Sequence, residues 1–131
     1  MLWNMRALAL AAVAGLLIAS VGCTAPSAVV LSADDDGGTV TVRTGGTLTV
    51  ELEGNPTTGF TWLEAEVPDV LESRGDPEFE PSSDALGAGG MMTLTYDAVE
   101  TGEGTLKLDY ARAWESLQPE DTFSVTVKVV E

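Results

Sequence analysis

The feature that most constrains this fold is a repeated alternation of apolar and polar side chains within short segments. Five segments show it, at residues 39–43, 48–53, 92–96, 106–110 and 123–129. A period of two is typical of strands with one face buried and the other in water. After residue 23 no stretch of ten residues has the period of about 3.6 that marks a helix. The sequence therefore predicts an all-β domain.

Turns rich in glycine or aspartate separate these segments. Residues 34–38 read Asp-Asp-Asp-Gly-Gly, and their Asp-Gly step predicts a hairpin between residues 29–31 and 39–42. Further turns are predicted at residues 44–47 and 101–104. Many short strands without helices are typical of a sandwich or a barrel. We predict an immunoglobulin-like antiparallel β-sandwich of about seven strands, with an open barrel as the alternative.

The charge balance excludes several classes of function. The 131-residue chain has 6 Lys and Arg against 21 Asp and Glu, a formal net charge of −15. Nucleic-acid binding needs a basic surface, and attraction to anionic lipid needs one too. The chain has no His and a single Cys, so a Cys-rich zinc site and an intrachain disulfide are excluded. The run of Asp at residues 34–36 lacks the ligand spacing of a calcium loop, and we expect a solvated turn, with no metal and no cofactor.

The first 22 residues predict export. Residues 7–21 carry no charge and follow Arg6. This run is shorter than the roughly 18 to 20 residues that span a bilayer. A positive residue, a short apolar run and small residues at its end are typical of a secretory signal peptide. A short buried helix is the alternative.

Residues 20–23 read Ser-Val-Gly-Cys and resemble a bacterial lipobox, in which the Cys after the cleavage point carries lipid. Ser20 departs from the large aliphatic residue that is usual there. Lipid attachment explains a single unpaired Cys in an exported chain, and several acyl chains on Cys23 would anchor it firmly. Ordinary cleavage nearby without lipid is the alternative.

The predicted organisation is a signal peptide at residues 1–22, a tether at 23–28 and one domain at 29–131. Loss of Arg6 with the signal peptide leaves 5 basic and 21 acidic residues, a net charge of −16. We expect the exported chain to be a monomer that touches the membrane only through lipidated Cys23. It would lie on the periplasmic or extracellular face.

The first of three unusual segments covers residues 54–62. Pro56 fixes one φ angle and Gly59 permits a positive one, so a stiff turn is expected. Its tip would present Thr57 and Thr58, a pair that folding does not require. Trp62 is expected to pack in the core.

The other two segments are residues 81–90 and 110–116. The glycines of the former let the backbone approach another surface closely. A phosphate site is not expected there, because neither a helix nor a basic residue follows. The latter contains Arg112 and Trp114, residue types that are enriched at interface hot spots. A surface ion pair and a part-buried indole are the plainer interpretation of these two side chains.

These segments resemble, in order, the three motifs of the chagasin family, whose members inhibit papain-like cysteine proteases. Residues 55–62 resemble the family's NPTTGY/FxW motif at eight positions. Residues 87–90 match its GxGG motif. Residues 112–114 fall where the family has RPW or RPF, with Ala113 in place of Pro. The resemblance extends over about residues 29–131.

The resemblance implies a reversible protein inhibitor, and no enzyme, that wedges three loops into the protease cleft. The implied binding residues are Asn55, Pro56, Thr57, Thr58, Gly59 and Phe60 at the cleft centre, Gly87, Ala88, Gly89 and Gly90 along one side, and Arg112, Ala113 and Trp114 along the other. Thr57 and Thr58 would lie near the catalytic Cys-His pair, and Trp114 against an aromatic side chain of the enzyme. Because Ala113 frees the backbone beside Arg112, we expect a looser third loop and weaker binding than with Pro.

Two other functions stay open at this level. A surface-anchored binding module for a non-protease ligand would keep the fold and the anchor but needs no role for Thr57 and Thr58. An enzyme could use a pair of carboxylates for acid–base chemistry, although no pocket-forming signature supports it. The negative charge would speed encounter with a basic protease, and it equally fits adaptation to salt.

Overall fold

The computed structural model describes residues 25–115 and 118–131, and every structural statement below concerns these residues. The signal peptide predicted at 1–22 and the lipidation predicted at Cys23 lie outside them. Within the described ranges, no helix has the length and apolar character needed to cross a membrane.

Nine β-strands form two sheets. Their bounds are β1 (Ala28–Leu31), β2 (Thr39–Arg43), β3 (Thr47–Gly54), β4 (Thr61–Glu66), β5 (Leu71–Ser73), β6 (Glu78–Pro81), β7 (Gly90–Ala98), β8 (Gly102–Ala111) and β9 (Asp121–Val130). The first sheet has the order β1-β3-β7-β5, and β6 also pairs with β7. The second sheet has the order β2-β9-β8-β4. The predicted all-β sandwich is confirmed.

The strand count and two strand directions differ from the sequence prediction. The sandwich has nine strands and not seven, because β5 and β6, of three and four residues, are too short to show alternation. β1 pairs in parallel with β3, and β2 pairs in parallel with β9, so the sheets are not purely antiparallel. Both parallel pairs arise because the chain changes sheet between β1 and β2.

The hairpin predicted around residues 34–38 is therefore wrong. These residues lie in a connection that crosses from the first sheet to the second and contains a 3₁₀ turn at Ala33–Asp35. The Asp36 carboxylate accepts a hydrogen bond from the backbone N–H of Ser124 at 2.8 Å, which ties the connection to β9. Residues 44–47 also connect the two sheets, and the turn predicted at 101–104 is displaced because β8 already begins at Gly102.

The core lies between the inner faces of the two sheets, where the predicted alternation places its apolar side chains. Leu48, Val50 and Leu52 of β3 are each at most 2% exposed. β7, β8 and β9 alternate in the same way. Tyr96 and Phe123 are among the largest fully buried side chains.

The strand directions give the sandwich two distinct ends. The connections β3–β4, β6–β7 and β8–β9 meet at one end, called the loop end. β1 begins at the other, the far end, because Ala28 pairs with Thr47 at the start of β3. The Pro26 carbonyl accepts a hydrogen bond from the Arg43 N–H at 2.8 Å. Two residues before β1, in the segment expected as a tether, the chain is thus already bonded to the fold.

Candidate functional site

Three loops at the loop end contain the residues that the sequence analysis singled out. The first loop is residues 55–60, between β3 and β4. The second loop is residues 82–89, between β6 and β7. The third loop is residues 112–120, between β8 and β9, of which 116 and 117 lie outside the described residues. Gly90 alone of the predicted set is in a strand, as the first residue of β7.

The first loop is a tight turn held by its own polar groups. Asn55 caps a 3₁₀ turn at Pro56–Thr58, and its Oδ1 accepts a hydrogen bond from the Thr57 N–H at 3.1 Å. The Thr58 hydroxyl donates to the Asn55 carbonyl at 2.6 Å. Gly59 ends the turn with φ +89°, a conformation that suits glycine. The predicted stiff turn is present.

Both threonines at the tip are exposed, but their hydroxyl protons are engaged within the loop. The Thr57 hydroxyl donates to Asn55 Oδ1, as the Thr58 hydroxyl does to the Asn55 carbonyl. A hydroxyl that has donated its proton can still accept hydrogen bonds. Thr57 and Thr58 therefore present hydrogen-bond acceptor oxygens and methyl groups to a binding partner at a narrow tip.

Asn55 joins the first loop to the second loop and to strand β8. Its backbone N–H donates to the Tyr110 hydroxyl at 2.8 Å, and its Nδ2 donates to the Gly87 carbonyl at 2.9 Å. The role of Tyr110 was missed from sequence, where it is one more apolar position of an alternating strand. The only signal of this role in the sequence is the hydroxyl group of Tyr110, two residues before the third motif.

The second loop closes on itself and leaves an apolar side chain in water. The Gly89 carbonyl accepts hydrogen bonds from the Ser82 N–H and Oγ, at 2.9 and 2.7 Å. Gly87 has φ +75°, and at Gly90 a Cβ would overlap the Glu80 carbonyl oxygen. Leu86 is fully exposed. Leu86 was not predicted from the sequence, where its signal is its size among small and polar neighbours.

The third loop is tied to the first by Arg112. Its Nε donates to the Thr58 carbonyl at 3.0 Å, and its Nη1 pairs with Glu115 Oε1 at 3.1 Å. Its guanidinium carbon lies 4.3 Å from the centre of the Phe60 ring, a cation–π arrangement. Three separate contacts thus hold Arg112, and two of them are with the first loop.

An aromatic stack continues from Arg112 into the core. The Phe60 and Tyr110 rings are stacked with their centres 5.3 Å apart, and the Tyr110 and Trp62 rings lie 5.1 Å apart. Trp62 is 4% exposed, and its Nε1 donates to the Glu53 carbonyl at 3.1 Å. The prediction that Trp62 packs in the core is confirmed. The stack connects the first loop rigidly to the sandwich.

Trp114 lies beside the first loop but remains open to solvent. It is 73% exposed. A Cβ built on Gly59 would lie 2.5 Å from Trp114 Cη2, so the indole rests against the Gly59 backbone. Trp114 and Leu86 are thus exposed large apolar side chains on the two loops that adjoin the first. Exposed anchors of this kind are typical of an interaction surface.

Metal binding has no support in the part of the chain that the structure describes. Among residues 25–115 and 118–131, no group of three or more Cys, Asp or Glu side chains is placed to hold an ion. In the acidic turn at 34–36, the Asp35 carboxylate accepts a hydrogen bond from the Ser32 N–H, and the Asp36 carboxylate accepts one from the Ser124 N–H.

Comparison with known sequences identifies the family. The model described as Chagasin family peptidase inhibitor I42 matches residues 41–127. Amoebiasin-1 of Entamoeba histolytica is 28% identical over 99 residues, covering 76% of this chain and 97% of that protein. Chagasin of Trypanosoma cruzi is 36% identical over 84 residues, covering 60% of this chain and 76% of that protein.

Comparison with solved structures agrees on the fold. The crystal structure of the cysteine protease inhibitor EhICP2 from Entamoeba histolytica is similar with a TM-score of 0.68 and 23% identity, over 78% of this chain and 96% of that one. The sequence match covers well over half of the chain and includes all three loops. This protein therefore belongs to the chagasin family, a family of peptidase inhibitors and not of enzymes.

Proposed function

We propose that this protein inhibits papain-like cysteine proteases reversibly, by inserting its three loops into the active-site cleft. The observation that carries the proposal is the bonding between loops that are far apart in sequence. Asn55 bonds the second loop through Gly87, and Arg112 bonds the first through Thr58. The relative EhICP2 is described as a cysteine protease inhibitor, which supports the same target class for this chain.

The shape of the first loop suits blockage without cleavage. A protease cuts a segment that it holds in an extended conformation, whereas Pro56–Thr58 form a 3₁₀ turn. Internal hydrogen bonds and Gly59 keep the loop in this turn. A loop that is already ordered loses little conformational entropy on binding, which favours tight association.

The roles proposed for the flanking loops follow from their exposure. Trp114 would pack against an aromatic side chain of the enzyme, as the sequence analysis expected, and residues 87–90 would make backbone contacts on the other side. Leu86 adds an apolar contact beside them. Arg112 is already engaged within the inhibitor, so we assign it chiefly to holding the first loop.

The test is a titration of the full chain, kept soluble in mild detergent, into active-site-titrated papain with a fluorogenic peptide. We expect reversible inhibition below micromolar concentration and none of trypsin. A folded sample that fails to inhibit papain at tens of micromolar would contradict the proposal and favour the non-protease binding module.

A matched pair of variants locates the site. Thr57→Lys places a bulky side chain at the tip of the first loop, and Thr39→Lys makes the same change at an exposed position at the start of β2. We expect only Thr57→Lys to abolish inhibition. Equal inhibition by both variants would contradict binding through the first loop.

We also propose that the chain is an exported monomer anchored by lipid on Cys23, on the periplasmic or extracellular face of the membrane. The lipobox-like residues 20–23 support this, and so does the start of β1 at the far end, away from the loops. Metabolic labelling with an alkyne fatty acid should label the chain but not Cys23→Ala. Recovery of unlabelled wild-type chain in the soluble fraction would contradict the anchor, and light scattering tests the monomer.

A further inference from the structure

The third loop is restrained although Ala113 replaces the Pro of the family motif. The Glu115 N–H donates to the Arg112 carbonyl at 3.1 Å, which closes a turn. The side chains of the same two residues form an ion pair, from Nη1 to Oε1, also at 3.1 Å. The backbone hydrogen bond and the side-chain ion pair therefore span the same interval, from residue 112 to residue 115, and Trp114 lies inside it.

The ion pair also determines where the rest of the guanidinium points. A guanidinium is planar and rigid, so fixing Nη1 fixes the direction of Nε. In this orientation Nε reaches the Thr58 carbonyl at 3.0 Å, and the guanidinium carbon lies 4.3 Å from the centre of the Phe60 ring. The Arg112 and Glu115 side chains are 35% and 29% exposed, so water screens the pair only in part.

We propose that Glu115 is a positioning residue: it orients Arg112 to hold the third loop against the first, and replaces the restraint that Pro supplies in the family motif. The pair thereby restrains the position of Trp114, because it fixes the backbone on both sides of this residue. The inference rests on the proposed function where its readout is protease binding. It assigns Glu115 no contact with the protease.

A second ion pair on the surface, between Lys128 and Glu103, provides a matched control for Glu115. Lys128 and Glu103 are 3.7 Å apart, and both side chains are more than half exposed. Glu103 lies near the start of β8, and the third loop begins after the end of that strand. Glu103→Gln and Glu115→Gln each remove one negative charge and one surface ion pair, of which the Glu103 pair is the more exposed. Only Glu115→Gln disturbs the contact between loops.

The experiment measures dissociation of the full chain from papain for wild type, Glu115→Gln and Glu103→Gln. We expect Glu115→Gln to raise the dissociation rate about two- to five-fold, the upper part of the range that surface ion pairs give, because this pair is only partly exposed. Glu103→Gln should leave it unchanged, and the melting temperatures of the two variants should agree. Equal dissociation rates for the two variants would overturn the proposal.

Rescue separates positioning from a general structural effect. In the Glu115→Gln background, Ala113→Pro should return the dissociation rate to within about two-fold of wild type, because Pro restrains the same backbone. In the wild-type background the same change should have less effect, since the ion pair already restrains the loop. If the effects of Glu115→Gln and Ala113→Pro on the dissociation rate simply multiply in the double variant, the claim that the ion pair and Pro supply the same restraint is overturned.

A measurement on the free inhibitor distinguishes failure of this inference from failure of the proposed function. Hydrogen exchange of the Arg112 Nε–H, followed by NMR without protease, should be faster in Glu115→Gln than in Glu103→Gln. If the wild type does not inhibit papain, the proposed function fails, and this exchange still tests the inference. Equal exchange in the two variants would overturn it.

Discussion

Replacing Gly59 with alanine is expected to weaken inhibition far more than it weakens the fold. Gly59 has φ +89°, a conformation that costs other residues about 1–2 kcal/mol. The new Cβ would lie 2.5 Å from Trp114 Cη2 and 3.0 Å from Cζ2. Because the indole is the far end of an exposed side chain, it can move aside. The free energy of unfolding should therefore fall by only about 1–2 kcal/mol, the cost of the backbone.

Displacement of Trp114 should have a larger effect on binding. A tryptophan that acts as a binding hot spot contributes about 2 kcal/mol or more to an interface. Losing its position would raise the inhibition constant roughly thirty-fold, by the conversion of free energy into affinity. Urea unfolding measures the free energy of unfolding, and titration into papain measures the inhibition constant.

Gly45→Ala is the matched control. Gly45 has φ +86° at the far end, and a Cβ there would meet no atom within 4 Å. This variant should lose a similar free energy of unfolding and inhibit papain like the wild type. The reasoning would be refuted if Gly59→Ala inhibited within about three-fold of wild type, or if both variants lost inhibition equally.

Three further changes test single contacts. Tyr110→Phe removes the acceptor for the Asn55 N–H, so urea unfolding should show a loss of about 1 kcal/mol, and an unchanged value would show that this hydrogen bond adds no stability. Asn55→Asp keeps the Oδ1 acceptor but removes the donor to the Gly87 carbonyl; amide exchange in the second loop should rise, and unchanged exchange would contradict a bond between the loops. The hydrogen bond and charge of Arg74 lower the pKa of Asp97 below its usual 3.8, so this pair stabilises the fold above that pH and the effect is lost on acidification. As the pH is lowered through about 4, the melting temperature of Asp97→Asn should therefore decrease less than that of the wild type. Parallel plots of melting temperature against pH for the two proteins would refute this.

The core strands could be predicted from sequence because burial between two sheets imposes a period of two. β3, β7, β8 and β9 each show it clearly. The crossing between β1 and β2 could not be predicted, because an Asp-Gly step favours a tight turn without determining whether the next strand joins the same sheet. Packing of the two sheets decides that. β5 and β6 pair with β7 along the edge that β3 does not occupy, a contact that exists only once the sheet is assembled.

The residues of the candidate site also divide into those that the sequence could predict and those that it could not. Gly59 and Trp62 were predicted correctly as a turn residue and a core residue, since local conformation and size decide both. The roles of Tyr110 and Glu115 were not predicted. Each depends on contacts made after the strands are assembled, of Tyr110 with Asn55 and of Glu115 with Arg112.

The parallel pairing of β1 with β3 has a mechanical consequence for a tethered inhibitor. β1 starts at the far end with Ala28, and β3 ends at Gly54, immediately before the first loop. With Cys23 held at a membrane as proposed and a protease held at the loops, tension would slide the two strands past each other. Their four paired positions would then be loaded together in shear, and not peeled apart one at a time. The inhibitor would therefore resist being pulled open by the protease that it holds.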